Sequence, residues 1–416
     1  AVVRATPETL VARAGTAFWM VLTLGLLFYA IIYLSAGAVA RFYHLPEAAS
    51  VLRVIGVSIL LYSMSRVPSA VLEREMRYAR KAIPEVVASF VYAGSAVGLA
   101  FLQLGYWSIV GATVIRSAVL SGGLFAVTQA PPSMRIFRWA ARDLFRSAGV
   151  LSAASTVRLA YTNADNAFVG RVSGVTALGY YAMAYNLGNL LAIQVAGALG
   201  AVLFPAYVRM MPDLARVRAA TFRLLRSVSL LVVPFTVVGA FATPRLVPLV
   251  LGPRWSPATL ALQILLVYGC FHSLGPIYWA LLQAGDRNHT NLKINCLSLA
   301  IALLAAWPVA TRFGINGVAV EFTLLEGLRF ALLATAVRRH FGLTWEEQVR
   351  AVLPAVSGGG LVIVILLALT LLWPAQGFAA MVLEILAGGA VYLAHLLRMG
   401  TIRLPRRPGD WRSMVQ

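Results

Sequence analysis

The chain has 416 residues, of which 60% are hydrophobic and only 12% are charged, and its mean hydropathy is +0.80. That composition excludes a water-soluble globular protein. A net charge of +20 would suit a nucleic-acid partner, but the basic residues are concentrated in short segments between apolar runs. We therefore exclude nucleic acid and predict that the partner is the lipid bilayer itself.

Apolar runs of about 20 residues recur from one end of the chain to the other, and this is the length that a helix needs to cross a bilayer. They predict an all-α, polytopic membrane protein with about twelve spans. The predicted spans are 17–38, 52–72, 84–103, 106–127, 147–166, 178–204, 227–243, 257–283, 294–311, 315–336, 352–372 and 378–397.

Most of the 35 basic residues fall in alternate loops between these spans. Cytoplasmic loops of membrane proteins are enriched in Arg and Lys, so the alternation predicts the orientation of every span. The loops around Arg74–Lys81 and Arg338–Arg350 are predicted to be cytoplasmic, and both termini are assigned to the same side.

An internal repeat is indicated by two similar turns. Leu104–Val110 resembles Phe313–Ala319, and the Pro68 region of one span corresponds to the Pro276 region of another. Repeated halves are typical of transporters, whereas short Gly-aromatic turns also recur by chance. We predict two pseudo-symmetric helical lobes related by a pseudo-two-fold axis. The predicted domains are an N-terminal lobe of four spans (1–128), a linker (129–146), a C-terminal lobe of six spans (147–336) and two further spans with a basic tail (337–416).

The linker contains Pro131-Pro132 followed by Arg135, Arg138 and Trp139. This pattern predicts an amphipathic basic helix on the inner leaflet, held by anionic lipids, and Arg209–Arg226 has a similar pattern. Ordinary positively charged loops explain the two segments equally well.

No catalytic, cofactor or metal pattern is present in the sequence. The five histidines are scattered without Cys, Asp or Glu at ligand spacing, and there is no phosphate-binding glycine loop. Cys270 and Cys296 lie inside apolar helices, where small buried side chains are expected. We therefore expect neither a metal nor a cofactor.

Arginines within the spans are the strongest chemical signal. Arg66, Arg116, Arg158 and Arg329 each lie near the middle of a different predicted span. One arginine at bilayer depth costs about 2.5–3.5 kcal/mol on insertion scales, so we expect these side chains to face a polar cavity or an acidic partner. Glu326 lies three residues before Arg329 and would pair with it on one helix face. The other three have no acid at such a spacing, which favours a cavity role.

The stretch from Ser152 to Tyr207 predicts a helix with a polar face, a break at Gly170–Gly174 and a second helix. It resembles the seventh and eighth transmembrane helices of bacterial polysaccharide-transport (Wzx-type) flippases of the multidrug/oligosaccharidyl-lipid/polysaccharide exporter superfamily. The matching residues are Asp165, Phe168, Val169, Gly170, Arg171, Leu178, Gly179, Tyr180, Tyr181, Ala184, Phe204, Pro205 and Ala206. Weaker matches extend the resemblance over the rest of the chain.

The resemblance implies a fold of fourteen spans. Ala1–Arg4 resembles the family's segment after its second helix, so two N-terminal spans are expected to be missing, and 352–372 and 378–397 would be the thirteenth and fourteenth. It also implies a location in the bacterial inner membrane.

The function implied by the resemblance is the flipping of polyprenyl-pyrophosphate-linked oligosaccharide for surface polysaccharide synthesis. Alternating access would move the head group through a cavity between the lobes without making or breaking a bond, so no enzyme activity is expected. A polysaccharide polymerase or export complex would be a further partner. Arg66, Arg116, Arg158 and Arg329 are the candidates for phosphate binding, because the arginine fork suits phosphate oxygens.

Polar side chains on the other predicted spans supply further candidates. Tyr181, Tyr185 and Asn189 suit sugar hydroxyls, although tyrosine at helix ends is equally typical of the interfacial belt. Asp165 and Glu321 would couple transport to an ion, or serve as plain counter-ions. Two alternative functions are a multidrug exporter of the same superfamily, disfavoured by the arginine excess, and a membrane-bound polymerase or ligase, disfavoured by short outer loops.

Overall fold

The computed structural model describes residues 7–128, 137–372 and 377–400, and within these ranges the chain is helical and contains no strand. The all-α fold class is therefore confirmed. The helices are α1 (Pro7–Phe42), α2 (Ala48–Arg74), α3 (Tyr78–Phe101), α4 (Trp107–Thr128), α5 (Arg138–Val172), α6 (Gly174–Gly188), α7 (Leu190–Met210), α8 (Leu214–Leu246), α9 (Thr259–Ala284), α10 (Asn288–Phe341), α11 (Trp345–Leu372) and α12 (Phe378–Arg398).

Nine helices in the described part of the chain are long and apolar enough to cross a membrane. The sequence predicts twelve spans, and the difference has two sources. Two predicted spans, 294–311 and 315–336, lie within the single element α10. Two others, 147–166 and 178–204, lie in α5 and in the α6–α7 pair, which are not among the nine.

α10 is 54 residues long, but it is broken at Gly314, whose φ of 58° and ψ of −148° are not helical. A straight helix of this length would extend about 81 Å, far more than the roughly 30 Å of the hydrocarbon core. Glycine adopts this conformation because it has no Cβ to clash with the backbone. The break therefore divides α10 where the sequence predicts the boundary between two spans.

The predicted span 178–204 is divided at Asn189, which ends α6 and precedes α7. The predicted break before it is present, because α5 ends at Val172 and α6 begins at Gly174 with a φ of 83°. α5 begins at Arg138, so the basic segment 138–146 is continuous with the following helix. α8 likewise begins at Leu214, so the basic segment before 227 is part of this helix. Val217 and Leu225 of that segment are buried.

The chain divides into two compact units, residues 1–149 and 150–416, with the division inside α5. In the first unit α1 to α4 pack together through two small hydrophobic clusters, one around Phe18 and one around Leu72 and Leu124. Its outward aromatic residues, such as Phe90 and Phe101, are exposed. An outer surface of this kind suits lipid rather than water.

In the second unit α9 is central, and it packs against α6, α7, α8 and α10. It contributes the fully buried Tyr268 and Tyr278 to the core, together with a nearly continuous run of small and aliphatic side chains. α11 and α12 pack against α8, where the Tyr392 hydroxyl donates to the carbonyl of Leu230. This arrangement brings polar side chains from α5, α6, α9 and α10 together around α9.

Two turns in the first unit have counterparts in the second. Gly105 and Gly314 both have positive φ, at 55° and 58°. Met76 and Asp286 also have nearly equal φ, at 58° and 57°, and each is followed by the arginine that precedes the next helix. The local repeat predicted from the sequence thus includes the backbone conformation of the turns.

Candidate functional site

Buried polar groups of the second unit converge on Glu326, whose side chain is fully enclosed. Its carboxylate accepts hydrogen bonds from Arg329 Nε at 2.8 Å and from the Tyr161 hydroxyl at 3.3 Å, and it also pairs with Arg329 Nη2. His272 Nδ1 lies 2.9 Å from the other carboxylate oxygen. Helices α5, α9 and α10 therefore meet at a single buried carboxylate.

The Glu326–Arg329 pair is local to α10, because residues three apart lie on one helix face. Both side chains are buried, and a buried charge is tolerated only when it is paired and hydrogen-bonded. The bidentate geometry fixes the guanidinium of Arg329 against its partner. Among the candidates for phosphate binding, Arg329 is thus the one whose charge is already neutralised.

A row of aromatic side chains extends from Glu326 to Asp165. His272 stacks on Tyr268 with ring centroids 5.3 Å apart, and the hydroxyls of Tyr268 and Tyr185 are 3.4 Å apart. Tyr185 stacks in turn on Tyr181, whose hydroxyl donates to Asp165 Oδ2 at 2.9 Å. This row, defined as Tyr181, Tyr185, Tyr268 and His272, connects Asp165 of α5 to Glu326 of α10.

The row depends on a close approach of α6 and α9 at Gly188 and Gly269. A Cβ placed on Gly269 would lie 2.2 Å from the carbonyl oxygen of Gly188, which no side chain can tolerate. The absence of both Cβ atoms lets the helix backbones touch. Tyr185 lies about one turn before Gly188, and Tyr268 immediately precedes Gly269. The close approach of the two helices therefore brings these tyrosines into contact.

Glu321 and Asn189 contribute buried polar atoms that have no hydrogen-bond partner in the described part of the chain. Both carboxylate oxygens of Glu321 are buried without a hydrogen bond to any described residue, and so is Oδ1 of Asn189. Asn189 donates its amide to the carbonyl of Tyr185. Buried acceptors without donors are rare in native proteins, which makes Glu321 a functional candidate.

Arg158, on α5, is half-buried and has no ion pair with any described residue. Its guanidinium carbon lies 5.8 Å from the ring centroid of Trp279, in the position of a cation–π contact. Arg329 repels it and Glu326 attracts it. Arg158 therefore lies near the buried ion pair, and no described acid accepts a hydrogen bond from its guanidinium.

In the first unit Arg66 and Arg116 are exposed and lie against tyrosines. Arg66 donates to the Tyr62 hydroxyl at 3.1 Å and lies over the same ring, and Arg116 lies 6.0 Å from the Tyr92 ring centroid. Neither forms an ion pair with a described residue. The tyrosine rings shield part of each guanidinium without neutralising its charge.

Sequence reasoning missed Tyr161, Tyr268, His272 and Trp279 as members of this polar cluster. The five histidines look isolated in the sequence, yet His272 meets an acid that lies 54 residues away. The available signal was the spacing of Tyr268, His272 and Gly275 on one face of α9. Tyr181, a candidate for sugar binding, is fully buried, and its hydroxyl is bound to Asp165. No group of three metal-ligating side chains occurs among the described residues.

A protein-family model described as polysaccharide biosynthesis protein matches residues 1–260. Among curated proteins, the lipopolysaccharide biosynthesis protein WzxC of Escherichia coli (strain K12) is 24% identical over 75% of this chain and 64% of its own length. The succinoglycan biosynthesis transport protein ExoT of Rhizobium meliloti (strain 1021) is 26% identical over 60% of this chain and 50% of its own.

The teichuronic acid biosynthesis protein TuaB of Bacillus subtilis (strain 168) is 20% identical over 63% of this chain and 55% of its own length. The chain thus spans between half and about two thirds of the length of these relatives. Among solved structures, lipid II flippase MurJ in an inward closed conformation matches with a TM-score of 0.74 at 11% identity, over 96% of this chain and 86% of that chain. At this identity the likeness concerns the fold.

Proposed function

The chain belongs to the polysaccharide biosynthesis protein family, and from that premise we propose that it flips a polyprenyl-pyrophosphate-linked oligosaccharide across the bacterial inner membrane. The product would supply a surface polysaccharide such as O-antigen, capsule or exopolysaccharide. The names of two relatives support this proposal, because WzxC is a lipopolysaccharide biosynthesis protein and ExoT is a succinoglycan biosynthesis transport protein. Its spans make it a multi-pass membrane protein.

The observation that carries the proposal is the state of Arg158. A guanidinium within a membrane helix is costly unless it meets an anion or water. Arg158 has no ion pair with a described residue, whereas the neighbouring Arg329 is fully engaged by Glu326. An anionic substrate head group would complete the coordination of Arg158, and a pyrophosphate matches its fork of donors.

In the proposed mechanism the candidate residues divide between contact with the substrate and support of the site. Arg158 binds the pyrophosphate in the second unit, and Arg66 and Arg116 contact it at another stage in the first. Tyr185 and Asn189 contact sugar hydroxyls, with the Trp279 indole beside Arg158 offering an apolar face for a sugar ring. Arg329 and Tyr181 support the site, because their polar atoms are bound to Glu326 and Asp165.

Energy would come from an ion bound at Asp165 or Glu321. The free carboxylate oxygens of Glu321 support this, because a proton or a cation would relieve the cost of burying them. The transport cycle is alternating access, in which no covalent bond changes, so the protein is not an enzyme. Both termini lie in the cytoplasm, and a polysaccharide polymerase or export complex would receive the product.

Transport by the full-length protein in liposomes tests the proposal. A fluorescent lipid-linked oligosaccharide from the producing strain is the substrate, and Arg158→Gln should lower its initial flipping rate roughly tenfold, as expected for a lost charge-assisted hydrogen bond. Arg254→Gln, which removes an exposed arginine of the same unit, should leave the rate unchanged. Equal rates for the Arg158→Gln variant and the native protein would rule out this role.

A further inference from the structure

A groove on the second unit lies away from the polar cluster, along the first half of α8. It has a volume of about 530 Å³ and is lined by Ala215, Arg218, Ala219, Phe222 and Arg223 of α8, with Glu347 of α11 opposite. The α8 residues are spaced by three, one, three and one, so they form a single face. The two alanines give the groove its depth, and the arginines give it positive charge.

The arginines of the groove are available to a ligand. Neither Arg218 nor Arg223 forms an ion pair with a residue that the structure describes. Glu347, the one acid in the groove, already accepts hydrogen bonds from the Thr344 backbone N–H at 2.7 Å and from its hydroxyl at 3.0 Å. These bonds cap α11 and occupy one carboxylate oxygen. The groove therefore keeps a net positive charge.

The position of the groove on α8 indicates the depth at which a ligand would bind. The apolar stretch predicted to cross the membrane begins at 227, one turn beyond Arg223. Arg226, on the next turn of the same face, has a buried Nε without a hydrogen-bond partner among the described residues. Arg218 and Arg223 thus lie at head-group level, where the acyl chains of a lipid could follow Phe222 into the bilayer.

We propose that this groove binds the phosphate of an anionic phospholipid from the inner leaflet, through Arg218 and Arg223. Arginine suits a phosphodiester because its donors can contact two oxygens together, and the groove has the volume of an ordinary ligand site. The ligand is part of the surrounding membrane and differs from the transported substrate. The proposal goes beyond flipping and holds even if the transported substrate is another molecule.

Native mass spectrometry of the full-length protein, released from nanodiscs of phosphatidylglycerol and phosphatidylcholine, tests this proposal. Arg218→Gln/Arg223→Gln should weaken retention of phosphatidylglycerol roughly thirtyfold, with no change for phosphatidylcholine, because it removes the two guanidinium groups that contact the phosphate of the anionic lipid in the groove. The matched control is Arg209→Gln/Arg216→Gln, which removes the same charge from exposed positions outside the groove. The control should retain phosphatidylglycerol like the native protein.

Equal losses in the groove and control variants would overturn the proposal, because they would reflect net charge alone. Displacement of the lipid by soluble glycerol phosphate at matching concentration would overturn the membrane source of the ligand. Where the double variant does not accumulate, Arg218→Gln and Arg223→Gln are measured singly. Each should then weaken retention about fivefold, and native retention in both would contradict the proposal.

Discussion

Glu326 is held by donors from three helices, so its charge organises the second unit at the level of single residues. The cost of burying a carboxylate is offset only while its partners remain in place. Removing one partner leaves a charge in an apolar interior, whereas removing both charges leaves a neutral contact. The two kinds of change should therefore have very different effects.

Arg329→Gln should lower the free energy of unfolding by about 3–5 kcal/mol, because it leaves Glu326 buried without its main counter-charge. Glu326→Gln/Arg329→Gln should recover most of that loss. Thermal unfolding in detergent measures both. The matched control is Glu346→Gln/Arg350→Gln, an exposed pair at 70% accessibility, which should change stability by less than about 1 kcal/mol. A single Arg329→Gln variant as stable as the native protein would contradict the structural role.

Glu321 presents the opposite case, because its buried carboxylate oxygens have no donor among the described residues. Glu321→Gln should leave thermal stability unchanged or raise it by about 1 kcal/mol, since it removes an unpaired charge. The same variant should abolish the dependence of flipping on an imposed proton or sodium gradient. A clear loss of stability together with unchanged gradient dependence would show that Glu321 is structural.

Contacts between residues close together in the sequence could be predicted, whereas contacts between residues far apart in the sequence could not. The Glu326–Arg329 contact was predictable because residues three positions apart on a helix lie on the same face. The contact of His272 with Glu326 depends on the register between α9 and α10, which hydropathy does not encode. The sequence predicts no local acid for Arg158, and its cavity role stays a prediction, whereas the contact of Arg158 with Trp279 of α9 depends on tertiary placement that hydropathy does not encode.

At the level of helices, the contact of α6 with α9 is the tightest constraint on the aromatic row. The carbonyl of Gly188 occupies the space that a side chain on Gly269 would need. Helices that approach this closely gain dispersion contacts along their length, as in other membrane bundles. The hydroxyl contact between Tyr185 and Tyr268 depends on the same distance.

Gly269→Ala should therefore separate α6 from α9 and lower the free energy of unfolding by about 1–3 kcal/mol, the range for overpacking a tight core. Thermal unfolding is the measurement, with Gly94→Ala as the control. Gly94 lies within α3 and has no atom within 4 Å of the position of an added Cβ, so alanine there should be neutral or stabilising. A neutral effect of alanine at Gly269 would contradict the backbone contact.

Helix boundaries were predictable only where a strong local signal exists. The break at Gly314 coincides with a glycine between two apolar runs, and the sequence divides the spans there. The break at Asn189 has apolar residues on both sides and no change in hydropathy, so 178–204 looked continuous. Its signal is the Gly188-Asn189 pair, which is short and easily overlooked in an apolar context.

For the molecule as a whole, orientation remains the property on which the transport and lipid proposals both depend. Basic residues are concentrated in alternate loops, and such loops stay on the cytoplasmic side during insertion. Glu75 and Arg350 lie near helix ends that are predicted to be cytoplasmic, whereas Arg254, between α8 and α9, is predicted to lie on the other side.

Single cysteines test this orientation in a Cys270→Ala/Cys296→Ala background. In intact cells, a membrane-impermeant maleimide should label Arg254→Cys, while Glu75→Cys and Arg350→Cys should react only after permeabilisation. All three native residues are exposed, so whether the reagent reaches each cysteine depends on the side of the membrane on which it lies. Labelling of Glu75→Cys and Arg350→Cys in intact cells would mean that the topology is inverted.

The matching turns at Gly105 and Gly314 are what duplication of an ancestral half-length gene would leave behind. Counted from these glycines, Glu326 and Arg329 correspond to Ser117 and Leu120 of α4, which are buried and uncharged. One copy therefore carries an ion pair where the other does not, while the turn before it has been kept. The two turns therefore share a backbone conformation, and the helices that follow them differ in chemistry.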